Sequence, residues 1–429
     1  MIRLTKSFKC TFSLLLIFTI SYSQNDNTIK NNNYSFVALE YGIGKTSTAN
    51  VNFPKLNPQQ SILLSVGTTN KKNHLEWAKQ LNYPKTGLTL SYVDLGNSEK
   101  LGQAITLVPF VDFPVFKRWT NRFNLKVGLG VSYFNVIYDS IENPNNMAIS
   151  TPLTWAFRSN LYYRFLEKEN YNLKLGLGYF HNSNGHVRLP NQGLNTFLVS
   201  VYSELKFNKE LENNIKVDSS SVTSNRTSQS YYSARVGMGK KVLSKYSTDK
   251  KDVYAFAAST GKIINKTFKY GYGFYYRFYE DYYDYIKDDE KLVRELYPEF
   301  KEHPVKYASN FGIFANGELL LSHVGIEFEL GINLYKPAYK IDWQINEEKY
   351  VDNVYQLGEL NWYYKIKKTI SSRLGAKLYA INTNKAPRHN VFLGAFINAN
   401  FGQADFTELT LGYVYCLPIK KRLLRKLDH

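Results

Sequence analysis

Cysteine and methionine are scarce, with 2 of the first and 3 of the second in 429 residues. Two thiols cannot staple a small secreted domain or supply a four-thiolate zinc site. Beyond the amino terminus no run approaches the roughly 18 apolar residues of a membrane-crossing helix, which excludes a helical membrane protein. Phosphate-loop and dinucleotide fingerprints are absent. The histidines are His74, His181, His186, His303, His323, His389 and His429, and only His181 and His186 stand close together. That pair has no acid or cysteine nearby, so it makes no metal-ligand pattern. What is abundant is aromatic: 35 Tyr and 27 Phe, within a hydrophobic fraction of 44% that excludes a disordered chain. The length allows two or three domains, or one large β-barrel.

Residues 1–23 read as a secretory signal peptide. Arg3, Lys6 and Lys9 form the positive segment, Phe12 to Ile20 the apolar one, and Ser21 and Ser23 the small residues before a cleavage point at Gln24. No cysteine stands directly after that point, which argues against a lipoprotein. Cys10 leaves with the signal, and Cys416 sits in a strand-like run as a buried or lipid-facing small hydrophobe.

The rest reads as strands. Tyr34–Gly44, Gly87–Leu95, Gln103–Phe116, Phe123–Phe134, Trp155–Phe165, Leu173–Ser183 and Leu194–Phe207 alternate in polarity and are rich in Tyr, Phe, Val, Leu and Gly. Most are about ten residues, the length of a tilted strand crossing a bilayer. Clusters of Asn, Gly, Pro and Asp separate them. An exported chain of such strands, with tyrosines to form interfacial girdles, predicts an all-β, antiparallel outer-membrane β-barrel rather than a soluble sandwich.

The chain also reads as built twice. Residues 209–229 are polar and Ser-rich, a linker or long loop between a first unit at 24–208 and a second at 230–418, with a basic tail at 419–429. Asn160-Leu-Tyr-Tyr-Arg-Phe165 resembles Asn361-Trp-Tyr-Tyr-Lys-Ile366, and His181-Asn-Ser-Asn184 resembles Ile381-Asn-Thr-Asn384. Two related eight-stranded units fit this duplication and are the architecture expected, with one barrel of about sixteen strands, which also fits the length, as the alternative. The second half carries an insertion, Tyr279–Tyr307, expected to be a solvated loop with a short helix over Asp288–Leu296.

Chemistry concentrates in Leu173–Phe207. By the two-residue period Leu173, Leu175, Leu177, Tyr179, His181 and Ser183 share one face, the apolar one that points to lipid. The next strand places Asn195, Phe197, Val199, Val201 and Leu205 on the same face. A hairpin loop, 184–194, returns Asn195 beside the His181 end. Three polar groups thus meet at one rim of the barrel: nucleophile, base, and a group that orients the base. Asn184 and the Gly185 N–H adjoin the nucleophile and are candidates to stabilise an oxyanion.

The segment His181-Asn-Ser-Asn-Gly185, followed by Leu189-Pro-Asn-Gln-Gly-Leu-Asn195, resembles the signature of the lipid A 3-O-deacylases, acyloxyacyl hydrolase-like outer-membrane barrels. Glu76-Trp77, Asn82-Tyr83-Pro84 and Asp94-Leu-Gly-Asn97 resemble the Bacteroidetes-type version. The likeness spans roughly residues 34–208. It implies an eight-stranded barrel that hydrolyses the ester-linked acyl chain at position 3 of lipid A, with a His, a Ser and a Glu on the outer wall. The His and Ser fall on His181 and Ser183. The Glu position falls on Asn195, a departure, because an amide orients an imidazole but offers no charge. Glu204 is no substitute, being nine residues further on and on the opposite face. Ile381 and Thr383 make the second half a non-catalytic copy.

The function expected is an outer-membrane esterase acting on lipid A, with Ser183 as nucleophile, His181 as base and then acid, Asn195 orienting His181, and Asn184 and Gly185 at the oxyanion. It needs no metal or cofactor. The alternative is a non-catalytic barrel, a pore or structural protein, with a relic His-Ser pair. The net charge of +18 then suits anionic lipid A phosphates of lipopolysaccharide rather than nucleic acid, which an exported protein does not meet.

Overall fold

The computed structural model describes residues 35–71, 73–116, 120–207, 226–246, 249–351 and 354–422. The signal segment 1–23, nearly all of the linker and the end of the basic tail lie outside the described residues.

Eight antiparallel strands close the first barrel: β1 (Ser35–Thr46), β2 (Gln59–Thr69), β3 (Lys85–Asp94), β4 (Gln103–Val115), β5 (Phe123–Phe134), β6 (Leu153–Glu167), β7 (Tyr171–Ser183) and β8 (Leu194–Lys206). The ladder closes where β1 pairs with β8. A second barrel of eight follows: β9 (Arg226–Lys241), β10 (Lys251–Ile264), β11 (Phe268–Tyr279), β12 (Ser309–Leu321), β13 (Val324–Tyr335), β16 (Ile370–Tyr379), β17 (His389–Asn400) and β18 (Gln403–Cys416). Between β13 and β16 stands a small hairpin, β14 (Lys349–Val351) and β15 (Val354–Gln356). This barrel closes through β10 with β9 and β18 with β9. The architecture is therefore two eight-stranded units, and the single barrel of about sixteen strands is set aside. β9 begins at Arg226, inside the segment read as linker. Lys420–Arg422, read as a solvated tail, forms a short strand, β19, paired with β9.

The period of two decides what each wall faces. Leu39, Tyr41 and Ile43 on β1, Leu175 and Leu177 on β7, and Phe197, Val199 and Val201 on β8 are exposed. In water such a surface would aggregate; against lipid it is the stable arrangement. The inward rows are buried and mix apolar side chains, such as Val108, Phe180 and Leu198, with polar and charged ones. In the first barrel Glu40 accepts from the Tyr162 hydroxyl at 2.8 Å, and Lys126 donates to Ser65 Oγ at 2.8 Å. Lys85, Asn172 and Lys174 surround the Glu204 carboxylate. Glu204 therefore points into the lumen, opposite to the His181 face.

In the second barrel Arg373 reaches Glu327, Glu329 and Glu408 at 3.1–3.2 Å, and Lys377 reaches Glu318 and Glu327 at 3.0 and 2.6 Å. Charges removed from water are held only where each finds a partner. These paired charges line both lumina. Cys416 is a free thiol, buried with Tyr231, Phe392 and Val414 inside the second barrel rather than facing lipid.

Two expectations about the second unit are corrected. Asn361–Ile366 is not a strand like its counterpart in β6. Asn361 caps a helix, Trp362–Thr369, its side chain accepting from the Tyr363 and Tyr364 N–H groups. Ile381-Asn-Thr-Asn384 lies in the turn after β16, the sixth strand of its barrel, whereas His181–Asn184 ends the seventh. The two segments stand at opposite ends of their barrels, so Ile381 and Thr383 are not the positions of His181 and Ser183. The likeness was one of composition, not of place.

The insertion Tyr279–Tyr307 is likewise no solvated loop. It folds into helices Glu280–Lys287 and Lys291–Leu296, and then a turn of tight helix at Pro298–Glu302. Ile286, Leu292, Val293 and Phe300 bury against Ile341 of a further helix, Tyr339–Asn346, making a packed cap on one end of the barrel.

That end carries the larger insertions, while the other is closed by turns such as 265–267 and 322–323. Bacterial barrels keep short turns in the periplasm and longer loops outside. The loop end, which includes the hairpin after His181, is therefore expected to face the cell exterior. Residues 184–186 are buried, so the informative site for a tag is Ile141, exposed in the β5–β6 loop at the same end. A tag there is expected to label on intact cells. Labelling only after permeabilisation would reverse the orientation.

Candidate active site

The β7–β8 hairpin sets the geometry. In its ladder His181 stands directly across from Asn195, and on the other side of β7 Ser183 stands across from Trp155 of β6. All four side chains take the outward parity. The His181 Nδ1–H, in the tautomer this contact implies, donates to Asn195 Oδ1 at 2.8 Å. The Tyr179 hydroxyl donates to the same oxygen at 2.6 Å, and its ring stacks on the imidazole at 6.5 Å with 10° between planes. Two donors on one amide oxygen fix which way the Asn195 carboxamide faces. Nε2 of His181 is left as the acceptor.

Ser183 is held from the loop. Asn191 Nδ2 donates to Ser183 Oγ at 2.9 Å, and the Gly185 N–H approaches the same atom at 3.3 Å. No hydrogen bond joins Ser183 to His181, although the two share a face. Gly193 (φ 74°) sits where a Cβ would come within 3.0 Å of the His181 ring, so the hairpin closes this tightly on the imidazole only with glycine there.

Asn184 departs from its expected place. Its amide donates to Ser150 Oγ at 2.9 Å and to the Arg188 carbonyl at 2.7 Å, and its own N–H donates to Asn191 Oδ1 at 3.0 Å. These bonds organise the loop and leave Asn184 with no donor toward Ser183 Oγ. Asn191 and Gly185 supply the donors instead.

Sequence reasoning missed Tyr179, Asn191 and Trp155. Tyr179 was within reach, since it lies two residues before His181 on the same face. Asn191 had no periodic signal, because its position depends on how an irregular loop folds.

The loop end of the second barrel touches this loop. Val242 N–H donates to the His186 carbonyl at 3.3 Å, and Trp155 Nε1 donates to Thr407 Oγ1 at 3.2 Å. His186 is buried and faces Lys241, Lys336, Asp342 and Asp405 of the second barrel. Burial, then Lys241, pushes its imidazole down to about 4, against the opposing pull of Asp342 and Asp405. A depressed folded value means that the unfolded chain takes the proton first. Stability from this group is present above about pH 6.5 and drains as pH falls toward 4. Acidification from pH 7 to pH 5 is expected to lower the heat-unfolding midpoint of the wild type more than that of His186→Gln. Equal drops, read by gel mobility of folded and unfolded forms, would remove His186 as the cause.

The sequence pattern of the lipid A 3-O-deacylase (PagL) family matches residues 65–202, wholly within the first barrel. No curated protein matches the sequence. Among solved structures, the outer membrane enzyme PagL aligns at 13% identity and a TM-score of 0.28, covering 38% of this chain and 97% of that one. A de novo designed transmembrane β-barrel aligns at 12% identity and a TM-score of 0.22, over 40% and 95% of the two chains. An outer membrane channel from Pseudomonas putida F1 aligns at 10% identity and a TM-score of 0.16, over 92% and 98%. The first barrel thus carries the resemblance to lipid A 3-O-deacylases read from its motifs, and the protein is an outer-membrane β-barrel.

Proposed function

We propose that the protein is an outer-membrane esterase that removes an ester-linked acyl chain from lipid A, with Ser183 as nucleophile. The observation that carries this reading is the His181–Asn195 pair beside Ser183, on the outer wall, where the apolar lipid-facing row ends. Exposed Leu177 and Phe197, at 64% and 62%, continue that row below the site. An acyl chain lying along them brings its ester to the rim without leaving the leaflet.

The chemistry follows from the hydrogen bonds. With Nδ1–H committed to Asn195, Nε2 takes the proton as Ser183 Oγ attacks the ester carbonyl. In the resting site Ser183 Oγ is turned to Asn191, and substrate binding must release it toward His181. Catalytic contacts often tighten only in the complex. The Asn191 amide and the Gly185 N–H, freed from the hydroxyl, then face the carbonyl oxygen as it gains charge. The imidazolium returns its proton to the departing sugar oxygen, and water, activated by the same His181, hydrolyses the acyl-serine.

A non-catalytic barrel is the second reading, and Asn195 favours it, since no carboxylate supports the imidazolium. The mass spectrum of lipid A separates the two. Cells expressing the protein are expected to show lipid A lighter by one acyl chain, with free fatty acid released. An unchanged spectrum at verified abundance of folded barrel would support the second reading.

A further inference from the structure

Among the described residues the second barrel has no counterpart of the His181–Ser183–Asn195 arrangement, yet it lies against the loop that follows Ser183. The contact is close. Gly185 has φ 66°, and a Cβ placed on it would lie 2.0 Å from Thr407 Oγ1. Thr407 belongs to β18 of the second barrel, and its hydroxyl accepts from Trp155, the cross-strand neighbour of Ser183. Next along the loop, the His186 carbonyl accepts from Val242 at the end of β9.

The platform beneath these contacts is cross-braced. The Lys241 ammonium bonds Asp342 and donates to the Tyr282 hydroxyl at 2.8 Å, while Tyr282 donates to Asp342 at 2.7 Å. Lys336 reaches Asp405 at 2.9 Å, and the Tyr279 hydroxyl donates to Asp405 at 2.8 Å. Tyr279, Tyr282 and Asp342 come from the start of the insertion and from the helix Tyr339–Asn346. A buried polar network braced at this many points is stiff, though Asp281 Oδ2, beside Lys241, has no hydrogen-bond partner in it. A second pair, Trp77 Nε1 to Ser322 Oγ at 3.2 Å, ties the barrels together at the opposite end.

We propose that the second barrel is a positioning element for the esterase site, and that Thr407 acts through Gly185 and Trp155 to hold the Gly185 N–H against Ser183. This rests on the esterase reading above. It gives the helical insertion a task, which is to stiffen the surface on which the loop rests. It also gives direction to substrate entry. The flank at β6 is closed by Trp155 and the second barrel, so the lipid approaches from the β7–β8 side.

The test uses the full chain, folded in outer-membrane mimetic, with release of fatty acid from lipid A as readout. Thr407→Val removes the hydroxyl and keeps the shape. It is expected to lower kcat about fivefold with KM unchanged, the size of one lost hydrogen bond. Thr407→Ser is expected to restore it. Gly185→Ala, which meets both the positive φ and Thr407 Oγ1, is expected to lose about a hundredfold. Adding Thr407→Ala removes the clashing atom and is expected to recover about tenfold of that loss.

If Gly185→Ala and the double variant are equally slow, and Thr407→Val behaves as wild type, the second barrel does not position the loop. Ser183→Ala runs beside them as the control for the site itself. Activity surviving in Ser183→Ala overturns Ser183 as the nucleophile and with it the site that the loop is said to position, whereas an inactive Ser183→Ala with no coupling between Gly185 and Thr407 overturns only the positioning.

Discussion

Ser183→Ala is expected to abolish release of fatty acid from lipid A, a loss of at least about a thousandfold, with both barrels still folded. The size follows from the role. A nucleophile is not one contact among many; without it the covalent step has no path, and only the residual effect of binding and oxyanion donors remains. The barrel survives because Ser183 ends its strand. Its backbone pairing with Trp155 is untouched, and its hydroxyl bonds only loop groups, Asn191 and the Gly185 N–H. His181→Ala is expected to match it. Heat-modifiable migration on a gel reports folding, and the lipid A mass spectrum reports activity. Normal deacylation by Ser183→Ala at equal abundance would end the assignment.

Asn195→Glu is expected to raise the rate by about tenfold, equal to roughly 1.4 kcal/mol off the barrier. The wild-type amide accepts from His181 and Tyr179 through one neutral oxygen. As Nε2 gains its proton the imidazole becomes cationic, and a carboxylate at the same place would form a charge-assisted bond about twice as strong. Tyr179 then matters more, because its hydroxyl gives the new carboxylate a partner and holds it toward the ring. Asn195→Ala should slow the enzyme without silencing it, since Ser183, His181 and the Asn191 and Gly185 donors stay. Indifference of the rate to both changes would mean that His181 is oriented by its packing against Tyr179 and the tight Gly193 turn, and not by residue 195.

How much of this was legible before folding differs from element to element. Phe123–Phe134 was read from alternation alone and is β5 to the residue. The outward parity of His181, Ser183 and Asn195 and the inward parity of Glu204 came from the same rule, because a strand's two faces are a local property of its backbone. The matching of Asn160–Phe165 with Asn361–Ile366 failed for a local reason as well. An asparagine that can cap two free N–H groups turned the second segment into a helix, and similarity of composition did not register that.

Length, alternation and the H-x-S motif by themselves determined that this chain is made of bilayer-length strands and that its polar triad shares one face. Tertiary structure alone decided three other things. It closed sixteen barrel strands into two rings instead of one, through ladders joining residues as far apart as Tyr231 and Cys416. It brought Asn191 onto Ser183 through an irregular loop, and it laid Thr407 of one barrel against Gly185 of the other. Periodicity describes how a residue stands to its neighbours in sequence. Ring closure, loop path and contact between barrels depend on which distant surfaces fit, and no local pattern contains that.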